Sequence, residues 1–175
     1  ERQCGRVRSV PVSIVNAATG EVLQDCPQPH ALKDLLDDLW RWLEDTKDAN
    51  PFTRAFAFHF IAVSIHPFAD GNGRTVRLMQ HLLLLLGGQR LARFVPSETA
   101  IMRGRDRYYS AIRQSRALGQ LHPIMEFLAE CFASSAEEVV NEGRKLLRDS
   151  AGKTPEARHR KILARAKRRE QFSMQ

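Results

Sequence analysis

Apolar residues recur every three or four positions along most of this chain, and a strand-like pattern is confined to a short stretch near its start. Val10–Val15 and Glu21–Gln24 read as two short strands around the turn Asn16-Ala17-Ala18-Thr19-Gly20. An isolated hairpin is marginally stable, so this one must lean on the rest of the domain or exist to bind something. Cys26-Pro27-Gln28-Pro29 then breaks regular structure. From His30 to Asp45, the spacing of Leu32, Leu35, Leu36, Leu39, Trp40 and Leu43 predicts a helix. Asn50-Pro51 opens a second helix through Ile65. It is apolar on nearly every side (Phe56, Phe58, Phe60, Ile61, Val63), as a central, buried helix should be. A third apolar helical run, Leu78–Leu86, stops at Gly87-Gly88. Pro96-Ser97-Glu98-Thr99 opens a helix through Ser115, and His122-Pro123 precedes one that runs toward Arg148. The pattern is mostly α with one hairpin and no internal repeat.

The chemistry concentrates in His66-Pro67-Phe68-Ala69-Asp70-Gly71-Asn72-Gly73-Arg74-Thr75-Val76-Arg77. Glycines at the start of a helix let a ligand approach the backbone, and the first turn presents unpaired N–H groups at the positive end of the helix dipole. That combination makes an anion site. Arg74 and Arg77 are three apart, share one helix face and can grip phosphate oxygens together. Asp70, just outside the helix, can hold Mg²⁺ between protein and phosphates. His66 can reach the same pocket as a general base. Positioning, charge neutralisation and a base are what in-line attack on phosphorus requires. Taken singly, each group has a plainer reading as a packing residue, a turn or a solvated face, and Phe68 reads as a core plug that fixes the loop.

Those twelve residues resemble, without a mismatch, the signature of Fic proteins, His-x-Phe-x-Asp/Glu-Gly-Asn-Gly-Arg-x-x-Arg. The likeness runs from about Gly5 to Ala133. Val10-Pro11-Val12-Ser13-Ile14 and the turn after it look like the family's β-hairpin flap, and Tyr108-Tyr109 and Ile124–Phe132 look like the segments that follow its motif helix. The resemblance implies a helical bundle around a central motif helix. Residues 1–150 would form a Fic domain lacking its N-terminal helices. It further implies transfer of AMP from ATP, with Mg²⁺, to a Ser, Thr or Tyr hydroxyl of a target protein. His66 would be the catalytic base and Asp70 the metal ligand. Gly71, Asn72, Gly73, Arg74, Arg77, Tyr108 and Tyr109 would bind the nucleotide, and Val12, Ser13 and Ile14 would dock the target. Many Fic proteins carry an inhibitory pattern, Ser/Thr-x-x-x-Glu-Gly/Asn, whose glutamate pairs with the second motif arginine. Here only Glu142-Gly143 offers the Glu-Gly step, and Glu138 stands where Ser or Thr is needed. The expectation is that no inhibitory glutamate occupies Arg77 and that any inhibitory segment or antitoxin lies outside this chain.

Charge divides the chain. The formal net charge is +7, yet residues 151–175 hold eight Lys/Arg and two acids, which leaves the body near neutral. The tail reads as a basic helical stretch or linker. A solvated helix is the plainer reading and a nucleic-acid contact the sharper one, although interleaved aromatics and a helix-turn-helix are both missing. Three cysteines (Cys4, Cys26, Cys131) without metal-ligand spacing argue against a disulfide scaffold and fit a reducing cytoplasm. The longest apolar run, Leu82–Leu86, is too short to span a bilayer, so no membrane partner is expected. A start at Glu1 with no signal peptide reads as a fragment. Two other classes stay open. One is a different nucleotidyl or phosphoryl reaction at the same site, including removal of AMP by water. The other is a non-catalytic nucleotide-binding regulator.

Overall fold

The computed structural model describes residues 5–15, 20, 22–150 and 160. Among these there are six α-helices, five of them arranged around a buried one, with a two-stranded antiparallel hairpin at the edge. The strands are β1 (Ser13–Val15) and β2 (Val22–Asp25). Ser13 pairs with Asp25 and Ile14 with Gln24, and a bulge sets Val15 opposite Val22. The Ser13 hydroxyl donates to Asp25 Oδ1 at 2.7 Å, which closes the open end of the ladder. The paired region is shorter than the expected strand, because Val10 and Pro11 precede it. Pro11 has no N–H to give to a ladder.

Helix α1 (Leu32–Asp45) buries Leu32, Leu39 and Leu43, while Trp40 from the expected stripe is half-exposed. Helix α2 (Pro51–Ile65) begins at Asn50, whose side chain accepts from the amides of Phe52 and Thr53 at 3.0 and 3.2 Å. It is the central helix that its all-round apolar sequence predicts, with Ala55, Phe56, Ala57, Phe58, Ala62, Val63 and Ile65 all buried. It packs on α1, on α3 (Asn72–Leu86) and on α6 (His122–Ser150). At the far end of α3 a Cβ on Gly87 would stand 2.6 Å from Pro51 Cβ. The glycine stop is therefore also the point where α3 meets the start of α2.

The single helix expected from Pro96 to Ser115 is two: α4 (Ser97–Arg103) and α5 (Arg105–Leu118), parted at Gly104. A Cβ there would press on the Phe127 ring at 3.2 Å, so the bend is coupled to packing against α6. A short 3₁₀ turn, Arg90–Phe94, also went unforeseen. His81 on α3 pins it, since Nε2 lies 3.0 Å from both Ala92 O and Val95 O. Cys26 and Cys131 are free and buried, and Cys4 lies outside the described residues. The basic tail also lies outside them, apart from Arg160. Among the described residues no helix is long and apolar enough to cross a membrane.

Candidate active site

The site is built where α2 ends and α3 begins. His66 caps the end of α2 in the left-handed conformation, φ 51° and ψ 60°, with its amide bonded to Ala62 O. No other described non-glycine residue has a positive φ. Such a backbone persists only where its surroundings hold it. The holder is Arg8, only 2% exposed. Its Nε donates to His66 O at 2.8 Å, its Nη1 to Val10 O at 3.0 Å and its Nη2 to Pro27 O at 2.6 Å, while its amide donates to Pro67 O at 2.9 Å. One guanidinium thus ties both roots of the hairpin to the motif loop.

His66 is half-buried, and its Nδ1 lies 3.3 Å from Val63 O. A carbonyl only accepts, so Nδ1 carries the hydrogen and the Nε2 lone pair is left over. Burial lowers its pKa, helped by the nearby Arg8 and Arg116 cations and opposed by the Val63 bond. The imidazole is neutral at pH 7.

Gly71 caps α3 with φ 83°, and the first amide bonded within the helix is that of Thr75, to Gly71 O. The amides of Asn72, Gly73 and Arg74 precede it and make the expected open turn. Both arginines fold back over the glycines. A Cβ on Gly71 would meet Arg74 Nη2 at 3.5 Å, and one on Gly73 would meet Arg77 Nη1 at 3.0 Å. The glycines are what lets two cations lie against the helix end. Asp70 is solvent-exposed, with Oδ1 accepting from the Gly71 amide at 2.6 Å and Oδ2 lying 3.2 Å from Arg74 Nη2.

The structure separates the expected site residues. His66, Asp70, Gly71, Gly73, Arg74 and Arg77 share one end of the bundle. The Asn72 side chain does not reach toward a ligand. It is buried, accepts from the Phe68 amide at 2.8 Å and donates to Phe68 O at 2.7 Å, bracing the loop while Phe68 itself stays half-buried. Tyr108 lies in the core, its hydroxyl 3.0 Å from His59 Nε2, and its pKa is raised by burial. Its neighbour Tyr109 instead lines a small cavity beneath the hairpin with Ile14, Gln24, Val63 and Arg116. Val12 and Ile14 are half-buried, while Ser13 is exposed on the hairpin. One contact was not expected. A glutamate does occupy Arg77: Glu98, at the start of α4, lies 2.8 Å from its Nε. Sequence reading also passed over Arg8, whose partners lie up to 58 residues away and leave no local signal.

A helical domain with a neutral imidazole beside a glycine–arginine turn can receive an oligophosphate and take a proton beside it. Residues 1–84 match the Fic/DOC family. The chain resembles protein adenylyltransferase fic-1 of Caenorhabditis elegans, with 31% identity over 142 residues, covering 79% of this chain and 25% of that one. It is 34% identical over 107 residues to protein adenylyltransferase Fic of Drosophila melanogaster, covering 60% and 20%. Its fold is similar to a crystal structure of a Fic family protein from Desulfovibrio desulfuricans G20, with TM-score 0.71 and 32% identity over 79% of this chain and 42% of that one. Residues 134–508 of C. elegans Fic-1 give TM-score 0.59 at 28% identity, covering 81% and 38%. This chain belongs to the Fic/DOC family. It spans a quarter or less of the length of the two curated relatives.

Proposed function

We propose that this domain transfers AMP from ATP to a Ser, Thr or Tyr hydroxyl of a target protein. The observation that carries the reading is the His66 imidazole. Its Nδ1 is tied to Val63 O, its pKa is lowered, and it stands at the junction with an open, arginine-covered helix end. ATP lays its phosphates against the amides of the Gly71–Arg74 turn, and Arg74 and Arg77 orient the β- and γ-phosphates. His66 Nε2 takes the proton of the target hydroxyl. The hydroxyl oxygen bonds to the α-phosphorus, the bond to the bridging oxygen breaks, and pyrophosphate leaves. Asp70 would hold Mg²⁺. One exposed carboxylate suits an ion that keeps water and phosphate oxygens as its other ligands. Among the described residues no group of three or more His, Cys, Asp or Glu builds an all-protein metal site. When bound, the ion neutralises phosphate charge. Tyr109 would contact the base, and the edge of β1 around Val12, Ser13 and Ile14 would take an extended target segment by strand addition.

The test is mass spectrometry of the protein and of a lysate after incubation with Mg²⁺-ATP. A gain of AMP mass is expected, and nucleotide binding without any modification would favour the regulator. Asp70→Ala should abolish Mg²⁺-dependent ATP affinity in calorimetry. Removal of residues 151–175 should leave transfer unchanged. If the tail contacts nucleic acid, the same removal abolishes a steeply salt-dependent gel shift. An inhibitory segment or antitoxin from outside the chain would find Leu78, Leu82 and Leu85 exposed on α3 beside Arg77. A cytoplasmic setting fits the free cysteines.

A further inference from the structure

The two motif arginines are not held alike. The Arg74 side chain is 74% exposed and pairs with the exposed Asp70, whereas the Arg77 side chain is 15% exposed and its Nε is fixed 2.8 Å from Glu98 Oε1. The far end of that guanidinium lies over Gly73, where a Cβ would stand 3.0 Å from Nη1 and 3.9 Å from Nη2. Neither terminal nitrogen has a hydrogen-bond partner among the described residues. Glu98 therefore takes the Nε corner and leaves the pair of donors that would meet a phosphate end-on.

We propose that Glu98 is a positioning residue for Arg77, holding the guanidinium by Nε so that Nη1 and Nη2 face the terminal phosphate of the nucleotide. This rests on the nucleotidyl-transfer reading above. A blocking carboxylate would occupy the terminal nitrogens, and this one does not. Its mounting is also rigid. His81 clamps the turn that leads into α4 through Ala92 O and Val95 O, and Ser97, next to Glu98, is buried. The Glu98 carboxylate itself is 58% exposed, so water and salt weaken its repulsion of a bound phosphate. What it contributes is the loss, before binding, of the freedom that a long arginine stem would otherwise lose on binding.

Calorimetry on the whole chain with two probes, Mg²⁺-ATP and AMP, tests this. Glu98→Ala should weaken Mg²⁺-ATP binding by about tenfold and leave AMP, which has no terminal phosphate, unchanged. Glu98→Gln should recover most of the affinity, because its amide oxygen can still accept from Nε. In an Arg77→Ala background, Glu98→Ala should have no further effect. Equal or tighter ATP binding by Glu98→Ala would make Glu98 a bystander or a block and overturn the proposal. An equal loss for AMP would also overturn it, by exposing a general loosening of the fold. A wild-type chain that binds no ATP would bring down the nucleotide reading itself, and the role of Glu98 with it.

Discussion

Helix α2 carries two histidines seven residues apart, and the regions around them differ in one decisive respect. His59, in the middle of the helix, is only 1% exposed and has both ring nitrogens engaged. Its Nδ1 meets Gln80 Oε1 at 2.6 Å, and its Nε2 meets the Tyr108 hydroxyl at 3.0 Å. The Gln80 oxygen fixes the hydrogen on Nδ1, so Nε2 accepts from the tyrosine. His66, at the helix end, is half-buried and has one nitrogen engaged. Both pKa values are lowered by burial, that of His59 to about 4. A lowered pKa therefore does not mark the reactive histidine. What sets His66 apart is its spare nitrogen, together with the open helix end beside it, and the proposed role as base rests on these.

The largest expected effect that would break this contrast belongs to His66→Ala. It should cut AMP transfer by about 10²–10⁴, with ATP affinity and melting temperature nearly unchanged. Wild-type transfer in this variant would remove the imidazole from the chemistry. His59→Leu should do the reverse. It strands the Gln80 and Tyr108 polar groups in the core and should cost about 2–4 kcal/mol in urea unfolding, while transfer per folded molecule stays near wild type. The two residues also part in acid. An unfolded His59 has a pKa near 6.5 and the folded one about 4. Between those values the unfolded chain binds the extra proton, so stability falls as pH drops from about 6.5 to 4, by up to about 3 kcal/mol. The His66 pKa is lowered too, so the transfer rate, corrected for folded fraction, should hold below the ordinary histidine range before it declines. A rate that fell at that ordinary value would show His66 to be more solvated than its surroundings indicate. The smallest effect is at the other end of the same helix. Asn50→Ala should cost about 1 kcal/mol in unfolding experiments and leave the corrected rate unchanged.

Much of this was legible in the chain itself. Apolar spacing locates α1, α2 and α6, and local chemistry locates the loop from His66 to Arg77, because its functional groups lie within twelve consecutive residues. What was not legible acts at a distance. Arg8 reaches His66 across 58 positions and Arg77 reaches Glu98 across 21, and a lone arginine or glutamate carries no sign of its partner. The break between α4 and α5 was hidden because a glycine within a helical pattern is tolerated, and the Phe127 ring that crowds Gly104 comes from another helix. Tyr108 and Tyr109 are adjacent and alike in sequence. Which of them enters the core and which lines the cavity depends on where His59 sits.

The Arg8 clamp makes the hairpin and the imidazole parts of a single gauge. A two-stranded ribbon on its own would wander, but this one is rooted through Val10 and Pro27 to the same guanidinium that grips the His66 carbonyl. On the proposed reading, a target strand laid along its edge would be measured off against a fixed mark. Because side chains alternate, a slip of one residue turns the wrong side chain toward the ring and a slip of two presents the next candidate. If the proposed docking holds, such a gauge would select by distance along the incoming segment rather than by the identity of its residues.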